Sequence, residues 1–482
     1  MRERLLISLL FAALFGVRLI VSFSSPEFSP DAYFHIRMIE YIADHGVPMT
    51  YDSLSYGGRA LQFSPLFHYV LAIFSWFLPL DVVLRFFPQL FISSLTLIVF
   101  IITHKLTQNG SASLFSASLA AVVPVFFRDF YSLSPLSLTL PLIFLSLYVF
   151  LHIEKKLYDL HFILLVAAAS LTHPLSIVLV IALLGYLLIC TLEKMELARS
   201  EIELLLFSTF LFIWIQFLLY KKPLLLVGIG GLIATYSTLP VPDIFLSLGI
   251  IPMIGGILCM YKYLFRSKIK ELTMYIALSI GVALLLAVRL LPAEPGFMFL
   301  GISLSILTGQ SFVFVQRYIH KTRLAHYSSI SVALLFLLLI PLMVLPAITY
   351  MRDAPLLDEN VALALEWIHQ NTPAESTVLA PIEFGHAITS IAQRSNVADT
   401  NLLLAPSRSG DVQRLYGTPL PTEAVKLFTT LSIDYIVVSG EYELATSLEC
   451  LRLVFPFDVR VSTLLLPDDV RIYHSLCKLE VI

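Results

Sequence analysis

From Leu5 to Tyr350 the chain is a succession of apolar segments separated by short polar loops. A helical crossing of a bilayer takes about 20 mostly apolar residues. No water-soluble core could hide so many such runs. Of the 482 residues, 58% are hydrophobic and 13% are charged, against about 25% charged in a soluble domain. Backbone polar groups inside lipid must be satisfied within the segment, so the spans are expected to be helices. The first covers about Leu5 to Phe23. Others lie near 82–104, 111–127, 137–152, 161–172, 175–192, 204–220, 223–239, 244–264, 272–288, 296–315 and 327–349. Pro65–Leu80 is shorter and reads either as a span or as an interfacial helix. Between about 200 and 243 hydropathy shows two segments where the flanking loops need an odd number of crossings, which sets the range at about 11 to 13 spans.

Orientation follows from the lysines and arginines of short loops. Arg2/Arg4, Lys105, Lys155/Lys156, Arg266/Lys268/Lys270 and Arg317/Lys321/Arg323 belong on the cytoplasmic side. Residues 24–81, 128–136 and everything past 350 then face outward. Arg18 inside the first span marks a helix packed against protein, and no small-x-small site ends it as in a cleaved signal peptide. A formal net charge of -3 speaks against a nucleic-acid partner.

After Tyr350 helical and extended patterns alternate, with Pro373 and Gly385 where a helix should stop and a turn form. The expected fold is a polytopic α-helical membrane protein with a small C-terminal α/β domain facing the extracytoplasmic side. Residues 1–350 form the membrane domain with its outer loop 24–81, and 351–482 the soluble one. Cys450 and Cys477 both fall in the latter, as a disulfide or as two free thiols.

Chemistry concentrates in the first outer loop. Asp31 opens a helical pattern whose apolar stripe is Ile36, Ile39, Ile42 and Ala43, a helix suited to the membrane surface. Asp31 and His35 share one face, with Arg37 close by. A carboxylate there can meet the phosphate end of a lipid carrier, as a general base or a metal ligand. Equally, Asp is among the best helix N-caps and needs no other role.

The stretch SPDAYFHIRMIEYIADHGVPMTYDSLSYGGR resembles the first outer loop of the oligosaccharyltransferase catalytic subunits, especially archaeal ones, within the GT-C class of membrane glycosyltransferases. The family pattern Asp-x-Tyr-x-His-x-Arg is met by Asp31, Tyr33, His35 and Arg37. The likeness continues in order through Phe87-Pro88, LTHPLSI around His173, VRLLPAEPGFMFLGISL with Arg289, and ALEWIHQNTPAESTVLAPIEFGHAITSIAQRSNVAD. It implies a GT-C-like fold, a polyprenyl-phosphate (dolichyl-phosphate) sugar donor, a glycan or protein acceptor, and a lipid bilayer as surroundings. Arg289 matches the family's phosphate-contacting arginine; His35, Arg37, His173 and Glu383 fall among its substrate-binding positions.

The departures from the family bear on mechanism. Where the family grips an acceptor sequon with Trp-Trp-Asp-Tyr-Gly, this chain has Pro381, Ile382, Glu383, Phe384 and Gly385. Where a second acidic motif is expected it has Ser132 and Ser134, with Asp129 beside Arg128 out of register. The resemblance implies Mg2+ or Mn2+ on Asp31 and Asp129. A hydroxyl acceptor asks for less: one carboxylate base, Asp31, and Arg289 on the departing phosphate. Metal-dependent and metal-independent chemistry both stay open. So do a divergent oligosaccharyltransferase acting on Asn and a catalytically inactive protein that binds lipid carriers. A transporter ranks below these, because no internal repeat is present. Each residue also has a plainer role: Arg289 snorkelling at a span end, His173-Pro174 breaking a helix, Glu383 in an exposed turn, Asp129 paired with Arg128.

Overall fold

A computed structural model describes residues 2–153, 156–232, 241–323, 334, 336–338, 340–401, 406–440, 444–446, 448–456 and 470–477. They form two compact units. The first holds residues 1–24, 63–130 and 134–354; the second holds 25–62, 131–133 and 355–482. The outer loop expected at 24–81 therefore divides, 25–62 grouping with the C-terminal residues.

The first unit is helical. Six of its described helices are long and apolar enough to cross a membrane: Glu3–Ser22, Leu80–Thr107, Pro174–Leu192, Arg199–Leu226, Lys270–Ala287 and Ala293–His320. Leu66–Ser75, Leu136–Phe150, Tyr158–Thr172 and Ile250–Phe265 are shorter apolar helices. Backbone breaks move the boundaries that hydropathy gives. The segment at 111–127 is the helix Gly110–Ala121 followed by a separate 3-10 turn, Pro124–Phe127, which opens on a proline. Leu66–Ser75 is 10 residues long, about half a bilayer, so Pro65–Leu80 is too short to cross. Over Arg199–Leu232 the helical course is kinked, with non-helical backbone at Tyr220 and Gly228, and 233–240 lies outside the described residues. Much of 327–349 lies outside the described residues.

Ala293–His320 is the most buried of the long helices and packs against Ile250–Phe265, Lys270–Ala287 and Gly110–Ala121. Small residues let these backbones close: a Cβ on Gly256 would stand 2.6 Å from Leu304 Cδ2. Hydroxyls bridge the same helices, Ser311 to the Gly255 carbonyl at 2.7 Å and Ser279 to Ser303 at 2.7 Å. Arg199–Leu226 instead turns Phe210, Trp214 and Leu225 outward, an apolar surface only lipid can cover. Arg18 is 2% exposed and inward-facing: it donates to Gln89 Oε1 at 2.8 Å and to the Phe126 carbonyl at 3.2 Å. That is the protein-packed helix its position in the sequence predicts.

The second unit is α/β. Strands β1 (Tyr51–Asp52) and β2 (Arg59–Ala60) make a small antiparallel ladder. Strands β3 (Thr377–Leu379), β4 (Ser395–Asn396), β5 (Tyr435–Val438), β6 (Leu451–Phe455) and β7 (Arg471–Ser475) form a sheet in the order β4-β3-β5-β7-β6. Strands β4, β3 and β5 run parallel, and β7 pairs antiparallel with both β5 and β6. The helix Glu359–Asn371 starts where Asp358 accepts from the Asn360 N–H at 2.7 Å and buries Val361, Leu365 and Ile368. The helix-then-strand reading of LPTEAVKLFTTLSIDYIVVSG corresponds to Pro421–Thr430 and β5. Cys450 and Cys477 are joined by a disulfide that ties the start of β6 to the end of β7.

Candidate active site

The helix Ala32–His45 buries Ile36, Ile39 and Ile42, with Ala43 half-buried, as its stripe predicts. Asp31 stands at its N-cap position but does not cap it. Its own backbone is already helical (φ -69°, ψ -23°), and its side chain accepts from no N–H of the first turn. The exposed carboxylate turns elsewhere: Oδ1 accepts a 2.7 Å hydrogen bond from Thr400 Oγ1. Among the described residues nothing donates to Oδ2.

His35 is half-buried, edge-on to Phe34. Arg37 is committed within the protein, its two Nη atoms each 2.6 Å from a different Asp52 oxygen. Asp52 also accepts from the Ser55 hydroxyl at 2.6 Å and the Leu54 N–H at 3.0 Å. Burial pushes the Asp52 carboxyl up, but Arg37 outweighs it and, with Ser55 and Leu54, holds the group below the usual carboxylate range. Arg37 thus pins the helix to the β1–β2 ladder.

The buried centre of the unit is Asp399, which sequence reasoning did not single out. Both its carboxylate oxygens lie 2.9 Å from Arg59 Nη2. Asn396 Nδ2 donates to Oδ2 at 3.2 Å, and the Tyr56 hydroxyl and Asn401 N–H donate to Oδ1 at 3.2 and 2.9 Å. The Arg59 guanidinium lies 4.1 Å from the Tyr56 ring centre. His386 approaches the same carboxylate with Nδ1 at 3.7 Å, and burial lowers its pKa. Gly385 permits this closeness, since a Cβ there would sit 2.1 Å from the Ala398 carbonyl oxygen. Arg59 and Asp399 are 340 residues apart and both fall inside stretches that carry the family resemblance. Opposite charge within those stretches is the one sequence signal that could have found the pair.

Glu383 is exposed in the 3-10 turn Ile382–Phe384. In the membrane unit Arg289 is exposed just past Lys270–Ala287, with φ +60°, a left-handed backbone that costs a non-glycine residue about 1–2 kcal/mol. It forms no ion pair among the described residues. His173 accepts from the Leu175 N–H at 3.0 Å and caps the turn Pro174–Ser176. Arg128 is ion-paired with Glu294 and not with Asp129. Burial and the nearby Glu294 push the Asp129 carboxyl up to about 7, although Arg18 and Arg128 pull the other way. As to Mg2+ or Mn2+, no three His, Cys, Asp or Glu side chains converge among the described residues as a divalent ion's ligands would.

No protein-family model and no curated protein matches the sequence. Solved structures do. The apo oligosaccharyltransferase of Archaeoglobus fulgidus superposes with a TM-score of 0.70 at 14% identity, covering 89% of this chain and 70% of that one. Apo ArnT from Cupriavidus metallidurans gives 0.59 at 13% identity over 98% of each chain. The mycobacterial arabinofuranosyltransferase AftD gives 0.53 at 14% identity, over 98% of this chain and 41% of that one. At such identities the likeness speaks for fold, and it bears out the GT-C-like fold that the first outer loop implied. The chain is a multi-pass membrane protein with the fold of the GT-C glycosyltransferases.

Proposed function

We propose that this chain transfers a sugar or glycan from a polyprenyl-phosphate donor of the dolichyl type to an acceptor on the outer face of the membrane. The observation that carries the reading is Asp31: a carboxylate at a capping position that does not cap, held by one oxygen and accessible at the other. Two of the similar structures support the donor class, AglB from Archaeoglobus fulgidus with dolichol-phosphate and ArnT with undecaprenyl phosphate. The Cys450–Cys477 disulfide fits an oxidising compartment, hence an extracytoplasmic C-terminal unit. In the membrane unit an open hollow of about 700 Å³ is lined by Arg128, Asp243, Tyr350 and Asp353 beside Leu345 and Pro346. Its mixed lining suits the junction of a phosphate head and an apolar tail.

In this reading Asp31 Oδ2 takes the proton of an acceptor hydroxyl. The hydroxyl oxygen bonds to the anomeric carbon, and the carbon–oxygen bond to phosphate breaks with its electron pair leaving on the phosphate. Arg289, unpaired among the described residues, is the cation assigned here to the phosphate charge. His35, His173 and Glu383 contact substrate, while Arg37 acts by holding the Asp31 helix. Asn glycosylation is the second reading. It is favoured by the TM-score to the oligosaccharyltransferase and by its structure tethered to an NVT-sequon peptide.

The test is the full chain in membranes supplied with radiolabelled dolichyl-phosphate hexose. Asp31→Asn is expected to cut transfer at least about 100-fold while the melting temperature holds. Unchanged transfer refutes the proposal. Transfer to an Asn-x-Thr peptide, with none to hydroxyl acceptors, selects the second reading.

A further inference from the structure

Thr400 lies on a turn that is clamped on both sides. Before it, the Asp399 carboxylate is fully buried and fixed by Arg59, Asn396 and Tyr56. After it, the Asn401 N–H donates to Asp399 Oδ1 at 2.9 Å, and the Asn401 carbonyl accepts from Arg59 Nη1. Between them the Thr400 side chain is exposed and gives its hydroxyl proton to Asp31 Oδ1 at 2.7 Å. A threonine is stiff about χ1. On a turn held at both ends it therefore offers its hydroxyl within a narrow range of directions. A surface hydrogen bond between two freely moving side chains would not need a salt bridge this deeply buried beneath it.

We propose that Thr400 is a positioning residue for Asp31, mounted on the buried Asp399–Arg59 pair. It occupies Oδ1, fixes the plane of the carboxylate, and leaves Oδ2 as the oxygen that receives the acceptor's proton. This rests on the reading of Asp31 as the base. Orientation of a reacting group is worth large factors in rate. Loss of one orienting bond at an exposed carboxylate is expected to lower kcat about 10-fold.

The experiment compares Thr400→Val, Thr400→Ser, Asp31→Asn and the double variant Asp31→Asn/Thr400→Val. It uses the full chain in membranes with dolichyl-phosphate hexose, read as released dolichyl phosphate. Thr400→Val should lower kcat about 10-fold with donor KM within about two-fold. Thr400→Ser, which keeps the hydroxyl and loses the methyl, should stay near wild type. The double variant should be no slower than Asp31→Asn alone. A Thr400→Val enzyme with wild-type kcat overturns the proposal. So does a Thr400→Ser enzyme as slow as the valine variant, which would make the methyl the important group. If Asp31→Asn is fully active, the base assignment falls and this proposal with it. If Asp31→Asn is inactive and Thr400→Val is normal, only the positioning role falls.

Discussion

Replacing Gly385 by alanine should destabilise the soluble unit, against the direction that helix propensity gives. Gly385 has φ -55° and ψ -38°, ordinary helical backbone. At such a site alanine normally gains about 0.4–1 kcal/mol. Here the added Cβ would stand 2.1 Å from the Ala398 carbonyl oxygen and 2.6 and 2.7 Å from Asp399 Cβ and Cα. Ordinary carbon contact is about 3.5–4.0 Å, so the turn must retreat by roughly 1 Å or more. Those atoms cannot swing aside, because Asp399 is held by Arg59, Asn396 and Tyr56. Overpacking costs about 1–3 kcal/mol, and loosening a buried pair adds part of the roughly 3–5 kcal/mol that breaking one costs. The net expectation is a loss of about 2–4 kcal/mol, or roughly 4–16 °C in melting temperature for a unit of this size. Trp367 is this unit's one tryptophan, so its fluorescence during heating of the purified chain, with limited proteolysis alongside, follows the right part of the molecule. A Gly385→Ala protein that melts at or above wild type refutes the packing argument.

Asp399→Ala should cost about 3–5 kcal/mol in the same melt, because it leaves Arg59 buried without its partner; a loss under about 1 kcal/mol would mean the pair is solvated. Asp52 has a depressed carboxyl pKa when folded, so its contribution is full above the ordinary carboxylate range and fades as pH falls through the folded value. Wild type should therefore lose soluble-unit stability below about pH 4, and Asp52→Asn should flatten that limb of a stability-versus-pH curve. Asp129 has the opposite sign: raised to about 7, it favours the fold while protonated and opposes it as pH rises through that value. Asp129→Asn should raise the melting temperature of the membrane unit at pH 8 more than at pH 5. Alkylation of the unfolded chain without reductant should label Cys190 and Cys259 only, and all four cysteines after reduction; breaking the 27-residue link should cost about 3–4 kcal/mol.

The membrane character and the α/β end were legible because hydropathy and alternating periodicity are local signals. Arg18 was legible too, since a guanidinium inside an apolar helix has to face protein. Span boundaries were less so. The break after Gly110–Ala121 and the kink within Arg199–Leu232 depend on backbone turns that hydropathy averages over. Asp31 was found by family pattern and spacing, but its most ordinary role, the cap, is excluded by its backbone angles and the direction of its side chain, which spacing does not show. Arg37 pairs with Asp52, 15 residues on, a partner that spacing along a helix cannot reveal. Asp399 and Thr400 meet residues more than 340 positions away. Two charged or polar residues that far apart carry no periodicity to link them.

The soluble unit is collected from three stretches of chain, 25–62, 131–133 and 355–482. A ribosome delivers the first of these long before the last. Throughout synthesis of the intervening helices Arg59 waits, charged and hydrated, for an aspartate that has yet to be translated. The early loop cannot settle into its final form co-translationally, and its completion must be among the last events of biogenesis. A chain arrested before residue 399 would leave that arginine and the Tyr56 ring uncovered, a ready mark for quality control.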